Sequence, residues 1–228
     1  MYDVIILAGG FGTRLKTVTG SLPKPLADIA GKPFIIYLLD RLVSFQCRKV
    51  YLSLHYKAEA IIHAVSQCDY PFDIEFIVEK GPLGTGGAIK YVCNSIDADN
   101  VVVINGDSYT DLDFDALYEY KIERECDVVL STTEVESPDR YGIVEFKDER
   151  VLGFTEAKKS GSCFINTGCY CISTALFRHI SCERFSFEHE VLSKIEGFDI
   201  RVFIYSGLFI DIGVPEDYYK ACELLCVK

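Results

Sequence analysis

A glycine-rich stretch near the start of the chain contains the residues best suited to phosphate chemistry. It reads Leu7-Ala8-Gly9-Gly10-Phe11-Gly12-Thr13-Arg14-Leu15 and is followed by Pro23-Lys24-Pro25. Glycines let the backbone adopt positive φ angles and bring its N–H groups against an anion. Arg14 offers a guanidinium fork for phosphate oxygens, and the prolines stiffen the segment that carries the Lys24 ammonium. These residues predict a phosphate-binding active site directly after the first strand.

Two aspartates are the candidate ligands of a divalent cation. Asp107 follows the apolar run 101–104, and Asp211 lies inside the apolar segment 209–215. A carboxylate in apolar surroundings is costly unless it is paired or bound to metal, and Mg²⁺ accepts one or two carboxylates together with phosphate oxygens. Both aspartates are therefore expected to bind Mg²⁺. The alternatives are a solvated Asp107 in an Asn-Gly turn and an Asp211 held by backbone N–H groups.

A second glycine-rich segment, residues 82–88, opens a predicted helix. Its backbone N–H groups could meet a base and a ribose, although such a segment is equally typical of a tight packing turn. Glu79 lies just before it, and its carboxylate could accept hydrogen bonds from N1–H and the N2 amino group of guanine. This geometry favours GTP, and the alternative is a solvated glutamate at the end of a strand.

The elements that must position these residues alternate between strands and helices in the first part of the chain. Apolar β-rich runs at 2–7, 49–54, 74–78, 100–104 and 127–133 alternate with helical stretches near 34–45, 57–67, 84–95 and 113–125. This alternation is typical of right-handed βαβ units and predicts an α/β, Rossmann-like, mostly parallel sheet with helices on both faces. Ligands of such sheets bind at the carboxyl ends of the strands, where the glycine-rich stretch is expected.

The later part of the chain has a different pattern. Short alternating runs at 141–147, 151–155 and 164–172 predict a small antiparallel subregion, followed by a helix near 187–195, a strand near 200–205 and a helix from about 215. No linker or low-complexity tract interrupts the sequence. One domain, 1–228, is therefore expected, with a first half at 1–136 and a second ligand-binding half at 137–228.

Composition limits the partners and the compartment. The net charge of −11 argues against nucleic acid as a partner, because that binding depends on clustered lysines and arginines. No segment reaches the roughly 18 apolar residues of a membrane helix, and the N-terminus does not resemble a signal peptide, so no membrane partner and a cytoplasmic location are expected. The ten cysteines contain no C-x-x-C pair and are expected to be structural. Homo-oligomerisation stays open.

The glycine-rich stretch fails two common phosphate-binding motifs and resembles a third. Leu15 stands where G-x-G-x-x-G needs its last glycine, and no G-x-x-x-x-G-K-[ST] occurs. The pattern L-A-G-G-x-G-T-R-L followed by P-K-P resembles the signature of the sugar-1-phosphate nucleotidyltransferases. Asp107 in a G-D after the central strand and Asp211 in a D-x-G-x-P near the end match the same family. The resemblance therefore spans residues 4 to about 220.

The resemblance implies transfer of a nucleotidyl group from GTP or another NTP to a sugar 1-phosphate, with Mg²⁺ as the cofactor. The implied catalytic residues are Arg14, Lys24 and Asp107, and the implied metal ligands are Asp107 and Asp211. The implied nucleotide-binding residues are Leu7, Ala8, Gly9, Gly10, Gly12, Thr13, Arg14, Lys24, Glu79, Gly84, Thr85 and Gly87. The implied sugar-phosphate-binding residues are Tyr141, Gly142, Glu156, Lys158 and Asn166.

One position departs from the family pattern. Relatives usually have a lysine directly after the glutamate, where it meets the sugar's phosphate, but here Glu156 is followed by Ala157 and then by Lys158 and Lys159. In an extended chain Ala157 and Lys158 point to opposite faces, so Lys158 reaches the phosphate only if a bulge or turn shifts the register. The following Ser160-Gly161-Ser162 favours such a turn, and Lys158 is expected to replace the family's lysine.

The substrate expected from the resemblance is a heptose 1-phosphate with GTP. Similarity to family members of that specificity is carried by residues 82–89, 105–108, 160–161 and 209–218. Mannose, glucose or N-acetylmuramate 1-phosphate, with GTP or UTP, are the alternatives. A catalytically silent nucleotide-sugar sensor is a rival of another class, which the two aspartates, Arg14 and Lys24 disfavour because a sensor needs no metal pair. A nicotinamide-dependent oxidoreductase is excluded by the absent third glycine.

Overall fold

The computed structural model of the chain describes residues 1–136, 138, 141–155 and 161–225. Its strands are β1 Tyr2–Leu7, β2 Asp28–Ile29, β3 Lys32–Pro33, β4 Cys47–Leu54, β5 Asp73–Val78, β6 Asn100–Asn105, β7 Ser108–Thr110, β8 Val128–Val135, β9 Ile143–Lys147, β10 Arg150–Thr155, β11 Cys163–Ser173, β12 Ile200–Ile204 and β13 Phe209–Asp211. The helices are α1 Lys16–Thr19, α2 Phe34–Leu42, α3 Ala58–Val65, α4 Gly84–Cys93, α5 Phe114–Arg124 and α6 Pro215–Leu225. The predicted helix near 187–195 is instead a π-helical turn, Glu188–Leu192.

Nine of these strands form one mixed sheet in the order β5-β4-β1-β6-β11-β8-β12-β10-β9. The first four are mutually parallel, as the βαβ pattern predicts. β11 runs antiparallel to both β6 and β8 and lies in the centre of the sheet. The predicted α/β class with an antiparallel part is confirmed, and the antiparallel part is continuous with the main sheet.

The sheet is covered by apolar layers on both faces. Val4 and Ile6 belong to a core that also contains the buried sides of α2, α3, α5 and α6, whereas Ile5 belongs to the opposite core with α4. Successive side chains of a strand point to opposite faces, so a strand buried on both faces needs the near-continuous apolar run that β1 shows. Helices on both faces are therefore confirmed.

A separate two-stranded sheet lies beside the carboxyl end of β6. β7 pairs antiparallel with β13 and aligns Ser108 with Asp211. Both strands have only three residues, too few for a hydrophobic period, and neither was predicted. This pairing brings Asp107, the residue before β7, beside Asp211.

The cysteines of the described residues are free, and Cys226 lies outside those residues. Cys169 and Cys171 share one core on the same face of β11, as their spacing in a strand predicts. Burial raises the pKa of each of these two thiols to about 12, which keeps them protonated and unreactive near neutral pH. Among the described helices, none is both long and apolar enough to cross a membrane.

Candidate active site

A cavity of about 380 Å³ opens at the carboxyl ends of the neighbouring strands β1 and β6. The glycine-rich loop after β1, the first turn of α4 and the 105–107 turn after β6 form its walls. Every predicted nucleotide-binding residue lines it except Gly87. Parallel strands thus bring these separate segments to one edge of the sheet, where α/β proteins bind their ligands.

Two glycines allow the walls of the cavity to approach one another. Gly12 has φ +59°, and a Cβ there would lie 2.8 Å from the Cβ of Lys24. A Cβ on Gly106 would lie 2.5 Å from the carbonyl oxygen of Leu7, to which the Gly106 N–H donates a hydrogen bond of 2.9 Å. Larger residues would push the Lys24 segment and the Asp107 turn away from the glycine-rich loop.

Lys24 lies between the two predicted metal ligands. Its Nζ donates to Oδ2 of Asp107 at 2.7 Å and lies 3.5 Å from Oδ1 of Asp211. The residue is only 8% exposed, so its charge requires nearby compensation. The two carboxylates provide it, and they fix the ammonium beside the glycine-rich loop.

The two aspartates suit a cation whose remaining ligands are water and the phosphate oxygens of a substrate. The Gly213 N–H donates to Oδ1 of Asp211 at 2.6 Å, which orients that carboxylate. The side chains of Asp107 and Asp211 are 39% and 25% exposed, so water and phosphate can reach them. No group of three or more metal-ligating side chains forms among the described residues. Mg²⁺ suits this donor set, because it keeps several waters and binds one or two carboxylates plus phosphate oxygens.

Glu79 lies against the wall of the cavity and is 7% exposed. Ser53 Oγ donates to its Oε1 at 2.8 Å, and the Leu83 N–H donates to its Oε2 at 3.3 Å. This burial excludes the alternative of a solvated strand-end glutamate. Each carboxylate oxygen keeps capacity for a further hydrogen bond. The guanine contact of Glu79 stays a prediction.

The first turn of α4 is held by a residue from much later in the chain. The N–H groups of Gly86 and Gly87 donate to the carbonyl oxygen of Phe185 at 3.0 and 3.3 Å. A Cβ on Gly86 would lie 2.2 Å from the Phe185 ring, so packing requires a glycine there. Gly84 and Thr85 line the cavity, and they are the part of this turn that can face a ligand.

Three of the predicted sugar-phosphate residues are described, whereas Glu156 and Lys158 lie outside the described residues. The Asn166 N–H donates to the carbonyl oxygen of Gly142 at 3.2 Å, and the Tyr141 ring packs edge-on against Phe209, 5.4 Å between centroids. Phe209 begins β13, so Tyr141 lies on the Asp211 side of the site. Tyr141, Gly142 and Asn166 do not line the cavity, and their contacts with a sugar stay predictions.

The cavity also has lining residues that the sequence analysis did not name individually as site residues. Asn105 is the most polar of them, and its Oδ1 is buried with no hydrogen-bond partner among the described residues. Its position in Asn105-Gly106-Asp107 was the available signal. The others are Phe11, Pro25, Pro82, Leu83, Ala88, Gly106 and Gly213.

A mixed α/β sheet with a glycine-rich loop at its carboxyl edge and two carboxylates beside it suits an enzyme that acts on phosphate esters. A family model described as nucleotidyl transferase matches residues 3–226. The chain belongs to the nucleotidyl transferase family, and the assignment made from its motifs is confirmed. Enzymes of this family typically use a divalent metal.

Three relatives illustrate the similarity. D-glycero-α-D-manno-heptose 1-phosphate guanylyltransferase of Aneurinibacillus thermoaerophilus is 39% identical, over 96% of this chain and 96% of that protein. The crystal structure of HddC from Yersinia pseudotuberculosis complexed with GMP-PN is 43% identical and has a TM-score of 0.90, with 99% of this chain and 100% of that chain covered. The mannose-1-phosphate guanylyltransferase of Mycobacterium tuberculosis is 32% identical over 96% of this chain, which spans 63% of that protein.

Proposed function

We propose that this chain transfers the guanylyl group of GTP to D-glycero-α-D-manno-heptose 1-phosphate, which yields the GDP-sugar and pyrophosphate. The observation that carries the proposal is the contact of Lys24 with Asp107 and Asp211 beside a glycine-rich cavity. The heptose is supported by the Aneurinibacillus relative, which matches over nearly the full length of both proteins. Mannose 1-phosphate is the second candidate, supported by a relative that is longer than this chain.

The reaction needs no nucleophile from the protein. A sugar 1-phosphate is largely dianionic at pH 7, because the second pKa of a phosphate monoester is about 6. One of its oxygens attacks the α-phosphorus of GTP, a new P–O bond forms, and the bond to the β-phosphate oxygen breaks with release of pyrophosphate. Arg14 and Lys24 both line the cavity, and we assign them to stabilising the charge that develops on the α-phosphate oxygens.

Asp107 and Asp211 are the residues that would hold Mg²⁺, which supplies charge neutralisation to phosphate oxygens when bound. Lys24 contacts both carboxylates, so one ammonium orients the two ligands and faces the same cavity. In this proposal Arg14, Lys24 and Asp107 are the catalytic residues, and Asp211 serves as the second metal ligand. The buried, fixed position of Lys24 supports that assignment, because a preorganised charge costs no rearrangement during the reaction.

The proposal also assigns the two substrates to the two halves of the chain. Apart from Gly213, the described residues that line the cavity precede residue 137, which supports residues 1–136 as the nucleotide-binding half and residues 137–228 as the sugar-phosphate-binding half of one domain. A cytoplasmic location is part of the proposal, because GTP is available there.

GTP is expected to give the highest kcat/KM of the four common NTPs, with the heptose 1-phosphate as the preferred acceptor. Pyrophosphate release from each NTP with a panel of sugar 1-phosphates measures both preferences. Equal kcat/KM for GTP and UTP would contradict the guanine assignment. Higher kcat/KM with mannose 1-phosphate would select the second candidate.

Glu79→Gln is expected to reduce the preference for GTP over UTP by about tenfold or more. The amide keeps one acceptor but presents an NH₂ group to a guanine donor, and charge-assisted hydrogen bonds contribute about 1.5 to 3 kcal/mol. The kcat/KM ratio of the two nucleotides measures the change. Glu75→Gln on β5, the strand that ends just before Glu79, is a matched control, because Glu75 pairs with Lys49 and does not line the cavity. An unchanged ratio in Glu79→Gln would remove Glu79 from base recognition.

Lys158→Ala is expected to raise the KM for the sugar phosphate by about tenfold or more and to change the KM for GTP little. The reason is the loss of a charged hydrogen bond to the sugar's phosphate, which contributes at least about 1.5 kcal/mol. Lys159→Ala is the matched control. If only Lys159→Ala raises this KM, the register assignment is wrong. If neither variant does, Arg14, Lys24 and the metal hold that phosphate without either lysine.

A further inference from the structure

Glu188, in the second half of the chain, contacts the first turn of α4, and nothing in the proposed function accounts for this contact. Its Oε2 accepts hydrogen bonds from Thr85 Oγ1 at 2.6 Å and from Ser186 Oγ at 2.7 Å. Thr85 lines the cavity. We propose that Glu188 is a positioning residue for the nucleotide, which acts by fixing Thr85 and the first turn of α4. The inference rests on the nucleotide site of the proposed function.

The Thr85 hydroxyl is committed to the protein. It donates to Glu188, and it accepts a hydrogen bond of 2.8 Å from the Phe187 N–H. A hydroxyl has one donor and two acceptor sites, so its donor is used and one acceptor site remains. The side chain of Thr85 is therefore an anchor, and the backbone of Gly84 and Thr85 is what this turn can present to a nucleotide.

Glu188 is suited to hold this anchor because its own backbone is fixed. The N–H and the hydroxyl of Ser193 both donate to the Glu188 carbonyl oxygen at 2.9 Å, which closes the π-helical turn. The preceding residue, Phe187, is completely buried and packs edge-on against Tyr170, 5.2 Å between ring centroids. The carboxylate thus reaches Thr85 from a rigid base.

The segment that precedes Glu188 also forms hydrogen bonds with α4 and with Leu83, the residue before it. Lys90 of α4 donates through Nζ to the carbonyl oxygens of Ile180 at 2.5 Å and Cys182 at 3.2 Å. The Phe185 N–H donates to the Leu83 carbonyl oxygen at 3.0 Å, and Phe185 in turn accepts from the first-turn glycines. Residues 180–188 therefore contact α4 at both its first turn and Lys90, and none of them lines the cavity.

This arrangement has a consequence for nucleotide affinity. A glycine-rich turn is conformationally permissive, so ordering it during binding would cost free energy. A carboxylate forms stronger hydrogen bonds to hydroxyls than a neutral amide does. Glu188 keeps the turn ordered before the nucleotide arrives, which lowers the KM for the nucleotide without a contact to it.

Glu188→Gln tests the proposal, with kinetics for both substrates, calorimetric titration with each of the four NTPs, and thermal unfolding. We expect the KM and the dissociation constant of the preferred NTP to rise about tenfold, with less than threefold change in kcat and in the KM for the sugar phosphate. Glu190→Gln is the matched control, because Glu190 lies on the same turn, is exposed and pairs with Lys194. It should behave like the unmodified chain.

Variants of Thr85 separate positioning from simple destabilisation. Thr85→Ser keeps the hydroxyl and should retain the NTP affinity, whereas Thr85→Val should reproduce the defect of Glu188→Gln. If the two residues act through one contact, Thr85→Val with Glu188→Gln should be no worse than Thr85→Val alone. Additive defects would overturn the inference, as would a Glu188→Gln variant that raises both KM values equally or that unfolds at lower temperature with unchanged NTP affinity.

The calorimetry also separates the inference from the proposed function. If the unmodified chain prefers an NTP other than GTP, the guanylyl assignment fails and the Glu188 effect is still measured on the preferred NTP. If the unmodified chain binds no NTP, both proposals are overturned. Unchanged binding of the preferred NTP by Glu188→Gln overturns the inference alone.

Discussion

Asp107→Asn and Asp211→Asn are each expected to lower kcat by about 10²- to 10³-fold. Both carboxylates adjoin the ammonium of Lys24, and both are the proposed ligands of Mg²⁺. Loss of an interaction that stabilises charge mainly in the transition state lowers kcat more than it weakens GTP binding. Pyrophosphate release over a range of Mg²⁺ concentrations, with calorimetric titration of GTP, measures the two effects separately.

Asp73→Asn is the control for these variants, because Asp73 is exposed on β5 at the edge of the sheet, outside the cavity lining. It should retain normal kcat and normal Mg²⁺ dependence. Thermal unfolding should show that Asp107→Asn and Asp211→Asn stay folded. A near-normal kcat in either variant would remove that residue from the metal site, and turnover by the unmodified chain in the presence of excess chelator would remove the metal from the mechanism.

Lys24→Met is expected to lower kcat by about 10²- to 10³-fold and to change how the protein responds to Mg²⁺. The methionine retains the apolar part of the side chain but leaves Asp107 and Asp211 close together without the ammonium. Two carboxylates that had shared one ammonium then repel each other, so the Tm of the variant without metal should be lower than that of the unmodified chain. Addition of Mg²⁺ should then raise the Tm more in Lys24→Met than in the unmodified chain, because a cation relieves the repulsion.

Thermal unfolding with and without Mg²⁺ measures this effect, and Lys32→Met is the matched control. Lys32 pairs with Asp40 on the surface, where an ion pair contributes at most about 1 kcal/mol. The Lys32→Met variant should keep kcat and the Mg²⁺-dependent rise in Tm. An identical rise in Lys24→Met and in the unmodified chain would show that Lys24 and the metal do not share the two carboxylates.

The local features of the site could be predicted from the sequence because they are encoded within a few residues. The apolar run of β1 is continuous, as a strand buried on both faces requires, and the glycines that follow permit a tight loop. The helical pattern of α2 could also be predicted locally. Its predicted end at residue 45 lies three residues beyond the observed end at Leu42. Helix ends are set by individual hydrogen bonds rather than by the hydrophobic period, so they were the less accurate part.

Contacts between distant segments could not be predicted in this way. The sequence indicated backbone N–H groups of residues 82–88 as ligand donors, but those of Gly86 and Gly87 donate to the carbonyl oxygen of Phe185. Phe185 lies about a hundred residues further along the chain than these glycines, and no local sequence pattern at either position predicts the contact. Glu188 was missed for the same reason, since its partner Thr85 is equally distant.

By itself, the sequence determined the family, the alternation of strands and helices, and the residue types that phosphate chemistry needs. Each of these follows from short contiguous motifs or from the local hydrophobic pattern. Only the tertiary structure decided that β11 lies in the middle of the sheet and that β7 pairs with β13. That second pairing sets Asp211 beside Asp107 and gives Lys24 two carboxylates. Such pairings depend on the whole packed chain. A pair of three-residue strands is not stable by itself and shows no periodic pattern in the sequence, so it forms only when the rest of the fold brings the two segments together.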